Sequence, residues 1–145
     1  NKEGAVESRN YLAIGLGGMT GSSVINKLTG ANVYYEGGYI GTLFDSNDNP
    51  IEKPLTGNAN MLVNFDDSTA KLTVEEVFEK NQSIYYNMRM TSNKGNIRTW
   101  YRNLDTRETD ANGAFYGKQG QHITGDMHIK QDGKKATLKY QVHKR

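Results

Sequence analysis

From residue 33 onward, apolar and polar positions alternate with a period of two rather than 3.6, the spacing of strands with one buried and one wet face. Ala59, Met61, Val63 and Phe65 alternate with Asn58, Asn60, Leu62 and Asn64. Ile84, Tyr86, Met88 and Met90 alternate with Tyr85, Asn87 and Arg89. Ile123, Gly125, Met127 and Ile129 alternate with Thr124, Asp126, His128 and Lys130, and Ala136, Leu138, Tyr140 and Val142 with Thr137, Lys139, Gln141 and His143. Together with VYYEGGYIGTLF, KLTVEEVF, NIRTWYRN and DANGAFYG, the pattern predicts eight strands. Turn chemistry separates them: DDST at 66–69, SNKGN at 92–96 and Asp132-Gly133 are hairpin sequences.

Antiparallel strands joined by hairpins hide their edges by closing, and an eight-stranded barrel has an interior that side chains nearly fill. The expected fold is therefore all-β, a single eight-stranded antiparallel barrel over residues 33–145, with a short glycine-rich extension over residues 1–32. In a small barrel the strands coil sharply and large inward side chains need small neighbours, so Gly37 and Gly41 between Tyr35, Tyr39 and Leu43 read as packing relief. The same reasoning covers Gly113 and Gly117 around Phe115, and makes GAFYGKQGQHITGDM a strand, a corner and a strand.

Composition agrees with strands and turns, with 16 glycines, nine tyrosines and two prolines in 145 residues. That length suits one domain. Its 18 basic and 16 acidic residues are scattered, so no electrostatic footprint for nucleic acid is visible. There is no cysteine, which removes disulfides, thiolate nucleophiles and cysteine-based zinc sites. No apolar run reaches the roughly 20 residues of a membrane helix.

Two motifs imitate known chemistry and fail on spacing. NYLAIGLGGMTGSSVINKLTGANVYYE begins like a dinucleotide-binding unit, but Gly15 and Gly17 are followed by Thr20 where a third glycine should stand. The helix it offers, about Ser22 to Leu28, is short for a crossover, and nothing downstream alternates strand with helix. DSNDNP places Asp45, Asn47 and Asn49 as in a calcium loop, but Pro50 stands at its glycine position and Thr56 at its bidentate glutamate. A polar turn is the expectation there.

No Ser-His-Asp set declares itself, and Glu75 and Glu76 read as the solvated end of a strand, so no catalytic residue is assigned. A two-residue hairpin at Asp132-Gly133 pairs Met127 with Leu138 and Ile129 with Ala136, and places His122 opposite His143 on the outside. Two such imidazoles are a candidate pair for a metal or haem iron, without an evident third ligand; solvated polar residues are the alternative. In NIRTWYRN, an inward set of Ile97, Thr99 and Tyr101 leaves Arg98, Trp100 and Arg102 as an outward strip of residue types enriched in binding hot spots. The opposite register would bury Trp100 and turn Tyr101 outward.

The motif Tyr35-x-Gly37-x-Tyr39-x-Gly41, followed by a hairpin through Phe65 and Lys71-Leu72, and then Gly113-Ala114-Phe115-Tyr116-Gly117 shortly before Gly125, resembles the transferrin-binding protein B-like β-barrel family of bacterial surface lipoproteins. The resemblance covers about residues 33–145. Lys118 stands where the family carries a proline, Gln121 and His122 where it carries acids, and Tyr39 where a tryptophan is common, the departures of a divergent member.

The resemblance implies a non-enzymatic binding module, displayed on the outer-membrane surface of a Gram-negative bacterium or secreted. Its lipid anchor would lie upstream of Asn1, and an outer-membrane exporter of the family would be a partner. Relatives capture host transferrin, haemoglobin, haem or complement regulators, or mediate colonisation. The expected partner is thus a host protein or host surface component. The alternative is a small-ligand carrier, with haem as the candidate cofactor. Residues 1–32 would be an N-terminal extension or a remnant of the family's handle-like N-terminal portion.

Overall fold

In a computed structural model of the chain, residues 18–51, 54–90, 96–99 and 110–145 are described. Gly15 and Gly17, most of the SNKGN turn and residues 100–103 of the NIRTWYRN strand lie outside them. The fold is an all-β antiparallel barrel. Among the described residues its strands are β1 (Val33–Phe44), β2 (Leu55–Asn64), β3 (Thr69–Glu75), β4 (Ser83–Met90), β5 (Asn96–Thr99), β6 (Asp110–Tyr116), β7 (His122–Gln131) and β8 (Lys134–Lys144). Each pairs with the next, and β8 returns to β1 from Tyr35↔Lys144 to Phe44↔Lys135.

Alternation sets the inner face. Tyr35, Met61, Val63, Phe65, Leu72, Met88, Ile97, Phe115, Ile123, Met127, Leu138 and Tyr140 are all essentially excluded from solvent. Phe115 meets Tyr35 edge-on at 6.3 Å between ring centroids and Phe65 at 5.6 Å. The tyrosines satisfy their hydroxyls on backbone carbonyls, Tyr35 on Gly120 at 2.7 Å, Tyr39 on Glu75 at 2.6 Å and Tyr140 on Asn112 at 2.8 Å. Those bonds let a polar atom stand in a filled interior without the cost of an orphan.

Two kinds of glycine hold this interior together. A β-carbon on Gly37 or Gly41 would strike the backbone carbonyls of Gln141 and Thr137. These residues are glycine because β1 coils tightly against β8, rather than to make room for the aromatics beside them. At Gly113 the reason is space: a β-carbon would occupy the position of the Tyr140 hydroxyl. Gly117, by contrast, has φ +95°, and with Gly120 at φ +67° it forms the corner between β6 and β7.

Hairpin chemistry is equally local. Asp132 and Gly133 both take positive φ, 50° and 81°, which gives the primed turn that matches strand twist. In the 45–50 loop the Asp45 carboxylate accepts from the amides of Asn47 at 2.8 Å and Asn49 at 3.0 Å, the geometry of a polar turn. The KLTVEEVF strand ends earlier than its apolar pattern predicts. Glu76 turns left-handed at φ 58°, so Val77 reaches the core from the β3–β4 connection rather than from the strand.

Residues 18–32 attach to one end of the barrel. The Thr20 amide donates to the Phe115 carbonyl at 2.9 Å, and the Gly117 amide to the Gly18 carbonyl at 3.0 Å. A single helical turn, α1 (Ser22–Ile25), then drops Ile25 into the core with no solvent exposure.

Candidate functional site

With the interior occupied by side chains, the outer wall and the loops are left to carry recognition. Cross-strand register arranges outward side chains in rows. One row runs through Tyr34 on β1, Leu62 on β2, Lys71 on β3 and Asn87 on β4. The next runs through Tyr116, His122, His143, Glu36, Asn60, Thr73 and Tyr85.

The first row, with its neighbours, makes an aromatic and aliphatic strip flanked by cations. Lys71 Nζ lies 4.4 Å above the Tyr85 ring, and the Arg145 guanidinium 5.3 Å from the Tyr34 ring. Each contact contributes roughly 0.5–1 kcal/mol at an exposed site and holds the ring in place. Leu62 is 39% exposed and Tyr85 59%, a large apolar surface for two side chains on regular strands. Arg145 also pairs with Glu36 at 3.4 Å. Sequence reading placed Leu62 and Tyr85 outward but did not bring them together. Doing so needs the β2–β3–β4 register, and the seven residues between Glu75 and Ser83 hide it.

Of the residues singled out from the sequence, Arg98 lies on β5 at the register position between Arg89 on β4 and Asn112 on β6. Ile97 is fully buried, as one of the two registers weighed from the sequence has it. Trp100, Arg102 and Tyr101 lie outside the described residues.

His122 and His143 stand opposite one another on β7 and β8, as the hairpin arithmetic requires. Their Nδ1 atoms are 2.6 Å apart and the rings meet at 87°. Burial, and then the neighbouring His122, hold the His143 imidazole below its ordinary value. His143 Nε2 lies 3.3 Å from the Gln141 amide nitrogen. Among the described residues no three His, Cys, Asp or Glu side chains converge on one point.

The arrangement therefore defines a filled antiparallel barrel whose chemistry faces outward. No protein-family model and no curated protein sequence matches the chain. Solved structures do. It is similar to isotype 1 transferrin-binding protein B from serogroup B Neisseria meningitidis, at 18% identity and TM-score 0.58 over 88% of this chain and 27% of that one. It is similar to intact Ap-TbpB, with N and C lobes, at 12% identity and TM-score 0.60 over 87% of this chain and 28% of that one. The transferrin-binding protein B of Haemophilus parasuis Hp5, a Trp-176-Ala mutant, gives 12% identity and TM-score 0.60 over the same 87% and 28%. The chain thus has a divergent transferrin-binding protein B-like barrel fold. It spans little more than a quarter of the length of those proteins.

Proposed function

We propose that the protein is a non-enzymatic binding module that engages a host-derived macromolecule through its outer wall, displayed on the outer-membrane surface of a Gram-negative bacterium or secreted. The observation that carries the reading is the combination of a transferrin-binding protein B-like barrel with an outward strip of half-buried Tyr34 and exposed Leu62 and Tyr85. Aromatic anchors held by cations are the residue types that dominate binding energy at protein interfaces. Arg98, Trp100 and Arg102, the strip that one register of NIRTWYRN turns outward, are a second candidate contact. An exporter of the family and a lipid anchor belong to this reading.

The filled interior favours a macromolecular partner over a carried small ligand, because Tyr35, Phe115 and Tyr140 occupy the space that a barrel carrier leaves open. The test is direct binding of the immobilised chain to transferrin, haemoglobin and fractionated host serum, with Tyr85→Ala and Trp100→Ala beside the wild type. Retention of one host component that either variant weakens is the expected result. No retention, together with a defined Soret band at one-to-one stoichiometry with haemin, would overturn it in favour of a haem carrier.

A further inference from the structure

Gln141 belongs by register to the outer face of β8, yet it is only 9% exposed, and its Oε1 is buried without a hydrogen-bond partner. Its amide nitrogen points instead at His143 Nε2, 3.3 Å away. The oxygen and nitrogen of a glutamine amide exchange places on a half-turn of the last torsion. Turned over, Oε1 accepts the proton of His143 Nε2–H, and the amide N–H2 takes the buried position that Oε1 leaves. That tautomer leaves the His143 Nδ1 lone pair free and directed at His122 Nδ1, 2.6 Å away.

Two imidazole nitrogens that converge across adjacent strands share one proton at most. A cation that accepts both lone pairs replaces it. Metal–imidazole bonds of about 2.0–2.1 Å place two cis nitrogens roughly 3 Å apart, so the nitrogens part by a few tenths of an ångström and both rings turn until their lone pairs meet off the line between them. Ligating histidines commonly donate the remote ring N–H to an outer acceptor, which fixes tautomer and ring angle. Gln141 stands at that place beside His143.

We propose that His122 and His143 form a surface site for a divalent first-row transition metal of the copper, nickel or zinc class, bound by both Nδ1 atoms, with Gln141 Oε1 as the acceptor that orients His143. Water completes the coordination, since no third protein ligand converges among the described residues. Glu36 stands opposite His143 on β1 and is paired with Arg145 at 3.4 Å. Tyr116 flanks His122 from β6. The site rests on the histidine pair and not on the host-binding reading.

The experiment is calorimetric titration of tag-free chain with copper(II), nickel(II) and zinc(II) salts, beside His122→Ala, His143→Ala, His128→Ala and Gln141→Leu. One metal binds per chain, copper tightest, following the usual order for nitrogen ligands. Each of His122→Ala and His143→Ala lowers the association constant by about tenfold or more, and His128→Ala, the remaining histidine, leaves it unchanged. Gln141→Leu weakens binding about tenfold and shifts the His143 tautomer away from Nε2–H in long-range nitrogen–proton spectra of the metal-free chain. Circular dichroism establishes that each variant is folded. One-to-one binding retained in both histidine variants, no binding at millimolar metal, or an equal loss in His128→Ala would overturn the site. An unchanged affinity and tautomer in folded Gln141→Leu would remove Gln141 from it.

Discussion

The hydroxyl of Tyr140 donates to the Asn112 carbonyl at 2.8 Å from the space where a β-carbon of Gly113 would stand. The glycine and the phenol are thus one feature of the barrel, contributed by β6 and β8. Gly113→Ala should displace the phenol and cost about 1–3 kcal/mol, as overpacking does in close-packed cores. Tyr140→Phe should cost about 1–2 kcal/mol by orphaning the carbonyl. In the double variant the alanine meets no hydroxyl, so its loss should fall short of the sum. Denaturant midpoints of the four proteins give the coupling directly, and strict additivity would mean that the two residues do not share the space.

Phe115 lies among Tyr35 and Phe65 with no solvent exposure, while Lys118, three residues on, is exposed at the corner. Phe115→Ala should therefore cost about 3–5 kcal/mol through the cavity it leaves. Lys118→Ala should change stability by no more than about 0.5 kcal/mol. Urea titration of the pair would expose an error in the β6 inward face if Phe115→Ala left the midpoint in place.

Burial pushes the pKa of the Tyr140 hydroxyl up, with Asp126 adding to the effect, and burial alone pushes that of Tyr35 up. A raised phenol has its neutral form favoured in the fold. Its contribution is therefore fully present below the unfolded value of about 10 and is lost as pH rises from there toward the folded values. Stability should be flat through neutral pH on this account and fall above about pH 10. On alkaline titration, part of the phenolate absorbance should appear only with unfolding, and Tyr140→Phe should shrink that late phase. A single smooth phase with no late component would place both hydroxyls in contact with water.

The inner and outer faces were legible in the sequence because side-chain period in a strand is two and nothing else competes with it. Ala59 to Phe65, Met127 to Ile129 and Ala136 to Val142 all point as their alternation predicts. The register of β7 on β8 was legible too, because Asp132-Gly133 has the chemistry of a two-residue turn, and it carried His122 to His143 ten residues away from that turn at the far ends of both strands. Longer connections broke the chain of inference. Across the β3–β4 link, where Glu76 and Asn81 both turn left-handed, no local rule counts residues, so the meeting of Leu62, Lys71 and Tyr85 was hidden. Ile25 was hidden for a different reason. A lone apolar residue in a one-turn helix has no periodicity to reveal which way it faces.

Ile25 supplies the test of how the segment before β1 contributes to the barrel. It is fully buried on a helix of four residues, a length with no stability of its own in water, so tertiary packing must hold the turn in place. The segment is attached by the Thr20 and Gly117 backbone bonds and the Thr20 hydroxyl at the β6 end, by the Phe65–Gly30 backbone bond beyond the helix, and by the side chain of Ile25 itself. Ile25→Ala should cost about 2–5 kcal/mol, the range for truncating a buried isoleucine. Val24→Ala, one residue earlier and half-buried on the same turn, should cost less than about 1 kcal/mol. If α1 packs as a plug, Ile25→Ala should also speed hydrogen exchange at the Thr20 and Gly117 amides while leaving the β7–β8 amides protected against local opening. An unchanged midpoint with unchanged exchange at Thr20 would show that the barrel end closes without the helix.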